Sequence, residues 1–131
     1  MQYPLDTNAW LRWFHRPHEL SHSVRQLLST QQSVALSPMS IVEVAQKHDK
    51  GKLTLPLPLR QWVSQSLPAG WIHLLPITAE VALRAYAWPG DFHGDPADRL
   101  IAATAVENHP ILVTSDEKLL ARADLKTLST R

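Results

Sequence analysis

The sequence has no cysteine, which removes disulfide frameworks and cysteine-based zinc sites and makes the reducing cytoplasm the expected compartment. No stretch approaches the roughly 20 apolar residues of a membrane helix, so no membrane contact is expected. The first residues reach Asp6 without a basic segment followed by an apolar one, so no secretory leader is expected either. Charge of one sign is not in excess. The 13 Lys and Arg against 12 Asp and Glu give a net +1, so any nucleic-acid site has to be local. Internal repeats, low-complexity tracts and long Gly/Ser linkers are also absent, which leaves no reason to place a domain boundary.

What is present is the balance of a packed globular chain: 131 residues, 44% hydrophobic and 19% charged, enough for one domain over residues 1–131 with its own core. Short apolar runs alternate with amphipathic stretches, the signature of repeated β-α units around a mainly parallel sheet. Strands are expected at Tyr3 to Leu5, Ser33 to Leu36, Trp71 to Ile77, Ile111 to Thr114 and Lys126 to Leu128. Helices are expected at Ala9 to Phe14, Ser21 to Leu28, Ile41 to Lys50, Leu59 to Leu67, Ala79 to Ala87, Ala97 to Asn108 and Glu117 to Ala123. Ser40, Thr78 and Asp95 stand where a side-chain oxygen can accept an orphan N–H and start a helix. Most of the ten prolines fall at junctions, but Pro4 sits inside the first strand, an awkward place if that strand is central. The segment from Trp88 to Pro96 is the longest polar connection broken by Gly and Pro, and hence the favoured functional loop.

In an open α/β sheet ligands bind beyond the carboxyl ends of the strands. Asp6 follows the first strand and Asp116 the fourth, while Glu43 and Asp98 lie in the opening turns of helices that face the same crevice. Each acid also has a purely structural reading. Ser40 and Glu43 match a capping box; Asp95 with Pro96 reads as a helix start that Asp98 complements through the dipole; Asp6 and Asp116 can cap the helices that follow them. Four acids at one edge of a sheet are not needed for capping, and together they would repel unless a cation offset them. Mg²⁺ takes oxygen ligands and retains several waters, so a few carboxylates plus a substrate phosphate satisfy it.

The segments Leu5-Asp-Thr-Asn-Ala-Trp10, Ser40-Ile-Val-Glu-Val-Ala45, Asp95-Pro-Ala-Asp-Arg-Leu-Ile-Ala-Ala-Thr-Ala105 and Leu112-Val-Thr-Ser-Asp116, in that order over nearly the whole chain, resemble the PIN domain, in particular the VapC toxins of bacterial type II toxin–antitoxin modules. The resemblance implies a three-layer α/β/α sandwich on a short, mainly parallel sheet of four to five strands. It implies a Mg²⁺- or Mn²⁺-dependent endoribonuclease cutting structured RNA, commonly tRNA or ribosomal RNA, through a metal-activated water. A cognate antitoxin, a homodimer, and DNA contact only through the antitoxin are implied with it. By motif match Asp6, Glu43, Asp98 and Asp116 are the metal-binding acids and Asp95 is a possible fifth, since one subgroup carries both aspartates; Gly94 stands where that subgroup often has a basic residue. Thr7, Asn8 and Ser115 can orient carboxylates or waters, and Arg99 can contact a phosphate.

Lys47, Lys50 and Lys52 can join Arg99 in guiding a phosphate backbone, although lysines at a helix C-terminus also complement its dipole. His15, His18 and His22 are spaced across Pro17, which speaks against a zinc site, and His93 belongs to the favoured loop. Trp10, Trp13, Trp62 and Trp71 read as core or subunit contact, with Trp88 the favoured base-stacking residue. Leu20, Val24, Leu27 and Leu28 form an apolar face that can serve as a dimer or antitoxin groove. The competing function is a partner-regulated nucleic-acid-binding module of PIN type with little or no nuclease activity.

Overall fold

Five three-residue strands form the spine of the protein in a computed structural model that describes residues 2–30, 34–67, 71–92, 95–108 and 110–131. They are β1 (Tyr3–Leu5), β2 (Val34–Leu36), β3 (Ile72–Leu74), β4 (Leu112–Thr114) and β5 (Thr127–Ser129). All pairings are parallel and the spatial order is β3-β2-β1-β4-β5. The chain thus steps outward from β1 through β2 to β3, then returns to the other side of β1 for β4. The reversal opens a crevice between the carboxyl ends of β1 and β4, the position where open α/β sheets bind ligands.

Helices α1 (Thr7–His15), α2 (His22–Thr30), α3 (Pro38–Asp49), α4 (Leu59–Ser66), α5 (Ala79–Arg84), α6 (Pro96–Glu107) and α7 (Glu117–Leu120) cover both faces of the sheet. Adjacent strand residues point to opposite faces, and β4 shows the result. Val113 joins a core with Trp10, Leu28, Val44 and Trp62, whereas Leu112 joins a second core with Trp88, Ile101 and Leu119. The expected α/β/α sandwich is therefore the observed one. In the first core the Trp10 indole is fully buried, donates to the Ser66 carbonyl at 3.2 Å and packs tilted against Trp62 with centroids 5.0 Å apart. No helix among the described residues is long and apolar enough to cross a membrane.

Most expected elements recur with ends moved by a few residues, and the departures have local causes. The third strand stops at Leu74, two residues before Pro76, which has no N–H to continue the ladder. The helix expected from Ile41 begins a turn earlier. Ser37, not Ser40, is its cap, accepting from the Met39 N–H at 3.1 Å with Pro38 in the first turn. Thr78, Asp95 and Asp116 do cap their helices. The apolar face at α2 is largely spent on the first core, Leu20, Val24 and Leu28 being at most 2% exposed, while half-open Leu27 lines an open groove with Tyr3, Ile111 and Leu128. Ser33, Pro68, His93 and Gly94 lie outside the described residues.

Pro4 in central β1 costs the sheet one ladder bond. Ile111 donates to the Gln2 carbonyl and Asp6 to the Val113 carbonyl, so the proline faces β4 between them. Leu5 opposite Val113 is the pair that joins the two strands, so the lost bond thins a ladder already short.

Candidate active site

Asp6 is fixed by the turn from β1 into α1. It is the N-cap of α1, with Oδ1 accepting from the Ala9 N–H at 2.7 Å and Oδ2 from the Thr114 hydroxyl at 2.5 Å. Only 9% of the residue is exposed. Burial pushes its pKa above the usual carboxylate value, with Asp116 adding to the rise, against the hydrogen bonds of Thr114 and Ala9 and the charge of Arg12. Thr114 also accepts from the Asp116 N–H at 3.0 Å, while the Asp116 carboxylate accepts from Lys118 N–H at 2.9 Å as the cap of α7. One hydroxyl at the end of β4 therefore braces the acids on both sides of the crevice.

Glu43 and Asp98 enter from α3 and α6. Because the cap of α3 is Ser37, Glu43 lies well inside that helix and is not spent on a capping box. Its carboxylate instead accepts from the Thr7 hydroxyl, which is also hydrogen-bonded to buried Ser40 at 2.9 Å. Asp98, in the first turn of α6, is raised to about 6, first by burial and then by the charges of Asp95, Glu43 and Asp116. Asp6, Glu43, Asp98 and Asp116 all line one narrow cleft, of about 50 Å³, together with Thr7, Asn8, Lys47 and Ile101.

The residues expected to support the acids divide. Thr7 and Asn8 stand in the cleft, Thr7 in contact with Glu43. Ser115 accepts from Arg12 Nη1 at 2.8 Å. Arg99 is committed elsewhere: it donates to the carbonyls of Ala85 and Phe92 and lies over the rings of Tyr86 and Phe92, which pins the loop before α6. Asp95 does not line the cleft; its side chain accepts from the Asp98 N–H at 2.9 Å as the cap of α6. Of the lysines, Lys47 reaches the cleft, whereas Lys50 and Lys52 are exposed at the end of α3. Trp88 is 8% exposed, between the guanidinium groups of Arg84 and Arg122, and is not open to a base. His15 accepts from the Trp62 indole at 2.9 Å.

Two participants escape a reading of the sequence. Thr114 ends a buried strand in a position that any β-branched residue could fill, and Arg12 is one polar residue of an amphipathic helix. Only the pairing of β1 with β4 brings Thr114 to Asp6, and only the packing of α1 brings Arg12 near that acid.

The donor set suits a hard cation. It is made of oxygens, its acids crowd enough that Asp116 helps raise the pKa of Asp6 and of Asp98, and it lies at the crevice of the sheet. Among the described residues no three His, Asp or Glu side chains already stand as a ligand set. The oxygen donors of the cleft would suit a divalent cation that keeps part of its water and takes one or two carboxylates directly.

Comparison with known proteins agrees with this fold. The VapBC2 structure from Rickettsia felis, bound to a DNA fragment from their promoter, matches with a TM-score of 0.75 at 17% identity over 100% of both chains. FitAcB from Neisseria gonorrhoeae matches at 0.65 and 25% identity, covering 97% of this chain and 96% of that one. These likenesses show the fold. The PIN domain family profile matches residues 3–125, and ribonuclease VapC22 of Mycobacterium tuberculosis is 36% identical over 115 residues, 88% of this chain and 87% of that protein. The chain belongs to the PIN domain family.

Proposed function

We propose that this protein is a divalent-metal-dependent endoribonuclease, the toxin half of a toxin–antitoxin pair, using Mg²⁺ or Mn²⁺ held by Asp6, Glu43, Asp98 and Asp116. The observation that carries the reading is the convergence of those four acids on one cleft at the crevice between β1 and β4, in a PIN-family chain 36% identical to a protein named a ribonuclease. The cation, when bound, polarises a phosphoryl oxygen and acidifies bound water. The chain's own residues do the rest. Asp6 is immobilised by Ala9 and Thr114, Glu43 by Thr7 and Asp116 by the start of α7, so little ordering remains to be done when substrate arrives. Lys47 offers the cleft's positive charge to the phosphate.

With no cysteine and no nucleophile-elbow serine, the attacking group is water and not a protein nucleophile. In-line attack leaves 5′-phosphate and 3′-hydroxyl ends. Structured RNA, tRNA or ribosomal RNA, is the substrate class. The partner is a cognate antitoxin, through which the complex contacts DNA; the structurally similar VapBC2 of Rickettsia felis, bound to a DNA fragment from its promoter, and a toxin–antitoxin complex from Klebsiella pneumoniae support this. Exposed apolar side chains on α3, on α5 and just beyond it, Val42, Leu83 and Tyr86 at 52–69%, support a contact between two copies of the chain.

The test is cleavage of total tRNA and ribosomal RNA with Mg²⁺, Mn²⁺ or EDTA, beside Asp6→Asn, which keeps the helix cap but removes the charge. Discrete cuts lost in EDTA and in the variant are expected. Cuts that survive either change, or 2′,3′-cyclic phosphate ends, would overturn the mechanism.

A further inference from the structure

A second and larger cavity, about 280 Å³, shares two walls with the acid cleft: Asp98 and Asp116 face both. Its remaining walls are Phe92, Leu119 and Ala121 on the apolar side and Asp91, Lys118 and Arg122 on the polar side. This volume lies just under the roughly 300 Å³ at which small-ligand sites begin, and apolar walls with a few convergent polar groups are their usual make-up. The cavity is also built in advance. Arg122 donates to the carbonyls of Pro89 and Asp91 and to the Asp124 carboxylate, and its guanidinium lies 4.9 Å over the Phe92 ring. Arg99 lies over the same ring at 5.2 Å. Phe92 is thereby a fixed wall, and the loop that carries Asp91 is tied to the segment after α7.

We propose that this cavity is a nucleobase subsite of the nuclease, receiving the base next to the scissile phosphate, with guanine as its preferred occupant. The proposal rests on the nuclease reading of the adjoining cleft. A phosphodiester carries a nucleoside on each side, so a phosphate drawn to the acid cleft leaves one base beside it, and the cavity sharing two of its walls is within reach of that base. Leu119 and Ala121 offer apolar contact to a flat ring, and Phe92, its own ring beneath two guanidinium groups, is a fixed boundary of the cavity. The selectivity comes from the polar side. A carboxylate only accepts hydrogen bonds and an ammonium only donates them, so Asp91 calls for adjacent N–H groups and Lys118 for ring or carbonyl acceptors. Guanine presents N1–H and N2–H side by side, with O6 and N7 as acceptors. Adenine and cytosine set their amino group beside a lone pair, and uracil flanks its one N–H with two carbonyls, so each would face Asp91 with an acceptor.

The experiment measures binding of 5′-GMP, 5′-AMP, 5′-CMP and 5′-UMP in Mg²⁺ by protein-observed NMR, and maps the nucleotides beside the cuts in RNA. Wild type is compared with Asp91→Asn and Ala121→Trp. Ala121 is exposed at the end of α7, so the indole can occupy the cavity without entering the core. We expect 5′-GMP to bind about tenfold tighter than the others, Asp91→Asn to erase that preference, Ala121→Trp to weaken all four, and guanine to flank the cuts. Equal binding of the four, no binding, or unaltered GMP binding by Ala121→Trp overturns the subsite. Failure of the nuclease reading is separate, since it appears as cutting indifferent to EDTA and to Asp6→Asn.

Discussion

Thr114 and Asp6 stand 108 positions apart in sequence, yet the Thr114 hydroxyl donates to Asp6 Oδ2 at 2.5 Å while accepting from the Asp116 N–H at 3.0 Å. A single side chain thus holds the Asp6 carboxylate and the backbone of Asp116, the two acids that border the crevice. Thr114→Val keeps the branched shape, removes the donor and leaves the buried Asp6 oxygen and the Asp116 N–H short of a partner. Outer-shell groups of this kind are worth about 10- to 100-fold in metal affinity. Calorimetric titration with Mn²⁺ should show a loss of that size in Thr114→Val and most of the affinity retained in Thr114→Ser. Equal affinity in all three proteins would mean that Thr114 does not position a ligand.

The pH dependence of the metal-free protein follows from Asp98. Its folded pKa, about 6, lies above the ordinary 3.8, so between those values the folded state binds more protons than the unfolded one. Stability then falls as pH rises through that window. Asp6 shifts in the same direction, first through burial. Asp124 shifts the other way and acts only at more acidic pH. Urea unfolding in EDTA should give a midpoint that drops from pH 4 to pH 6.5. Asp98→Asn should flatten much of that slope, and saturating Mg²⁺ should cancel it by favouring the carboxylates. A wild-type midpoint that climbs over this range would contradict the electrostatics of the cleft.

Much of this was legible in the sequence because the strands are short and apolar, and the acids that matter sit immediately beyond them or one turn into a helix. Asp6, Glu43, Asp98 and Asp116 do share a cleft, and the α/β/α order follows from the alternation of periods. Where the sequence misled, tertiary contacts were the cause. Ser40 and Glu43 have the spacing of a capping box, but Ser37 with Pro38 offers the better start, and Thr7 claims both residues from another helix. Arg99 reads as a phosphate contact by position, yet the carbonyls of Ala85 and Phe92 were open to it only once the loop folded back. Trp88 reads as a stacking residue because it leads into a loop. It is buried because two arginines from outside that loop, Arg84 and Arg122, enclose it.

Arg122 is the clasp of that loop. Its side chain, 15% exposed, reaches two carbonyls, the Asp124 carboxylate and the rings of Trp88 and Phe92. Its hydrogen bonds, with its charge, hold the Asp124 carboxyl below the usual range. Gly90 helps the turn it closes by taking φ +68°, a region other L-residues enter at a cost. Arg122→Gln should lower global stability by about 2 kcal/mol, the order of one well-made bond to a charged group with its ring contacts. Hydrogen exchange should show the larger effect in residues 88–92, which lose protection ahead of the sheet. Uniform loss of protection across the fold would mean that the arginine supports the core and not the loop.

Asp95 can be assigned a role by separating its charge from its hydrogen bond. The carboxylate accepts from the Asp98 N–H at 2.9 Å, lies exposed outside the acid cleft, and raises the Asp98 pKa after burial has done so. Asp95→Ser keeps a cap and removes the charge; Asp95→Ala removes both. If Asp95 is a cap, Asp95→Ala costs about 1 kcal/mol of stability and Asp95→Ser little of it. The Asp98 pKa, read by carboxyl NMR in EDTA, should fall in both variants because a neighbouring negative charge is gone. Mn²⁺ affinity should then change only modestly and in the same direction in both. If Asp95 instead ligates the metal, both variants lose affinity as severely as Asp6→Asn does, whatever their stability, and the fifth acid joins the other four.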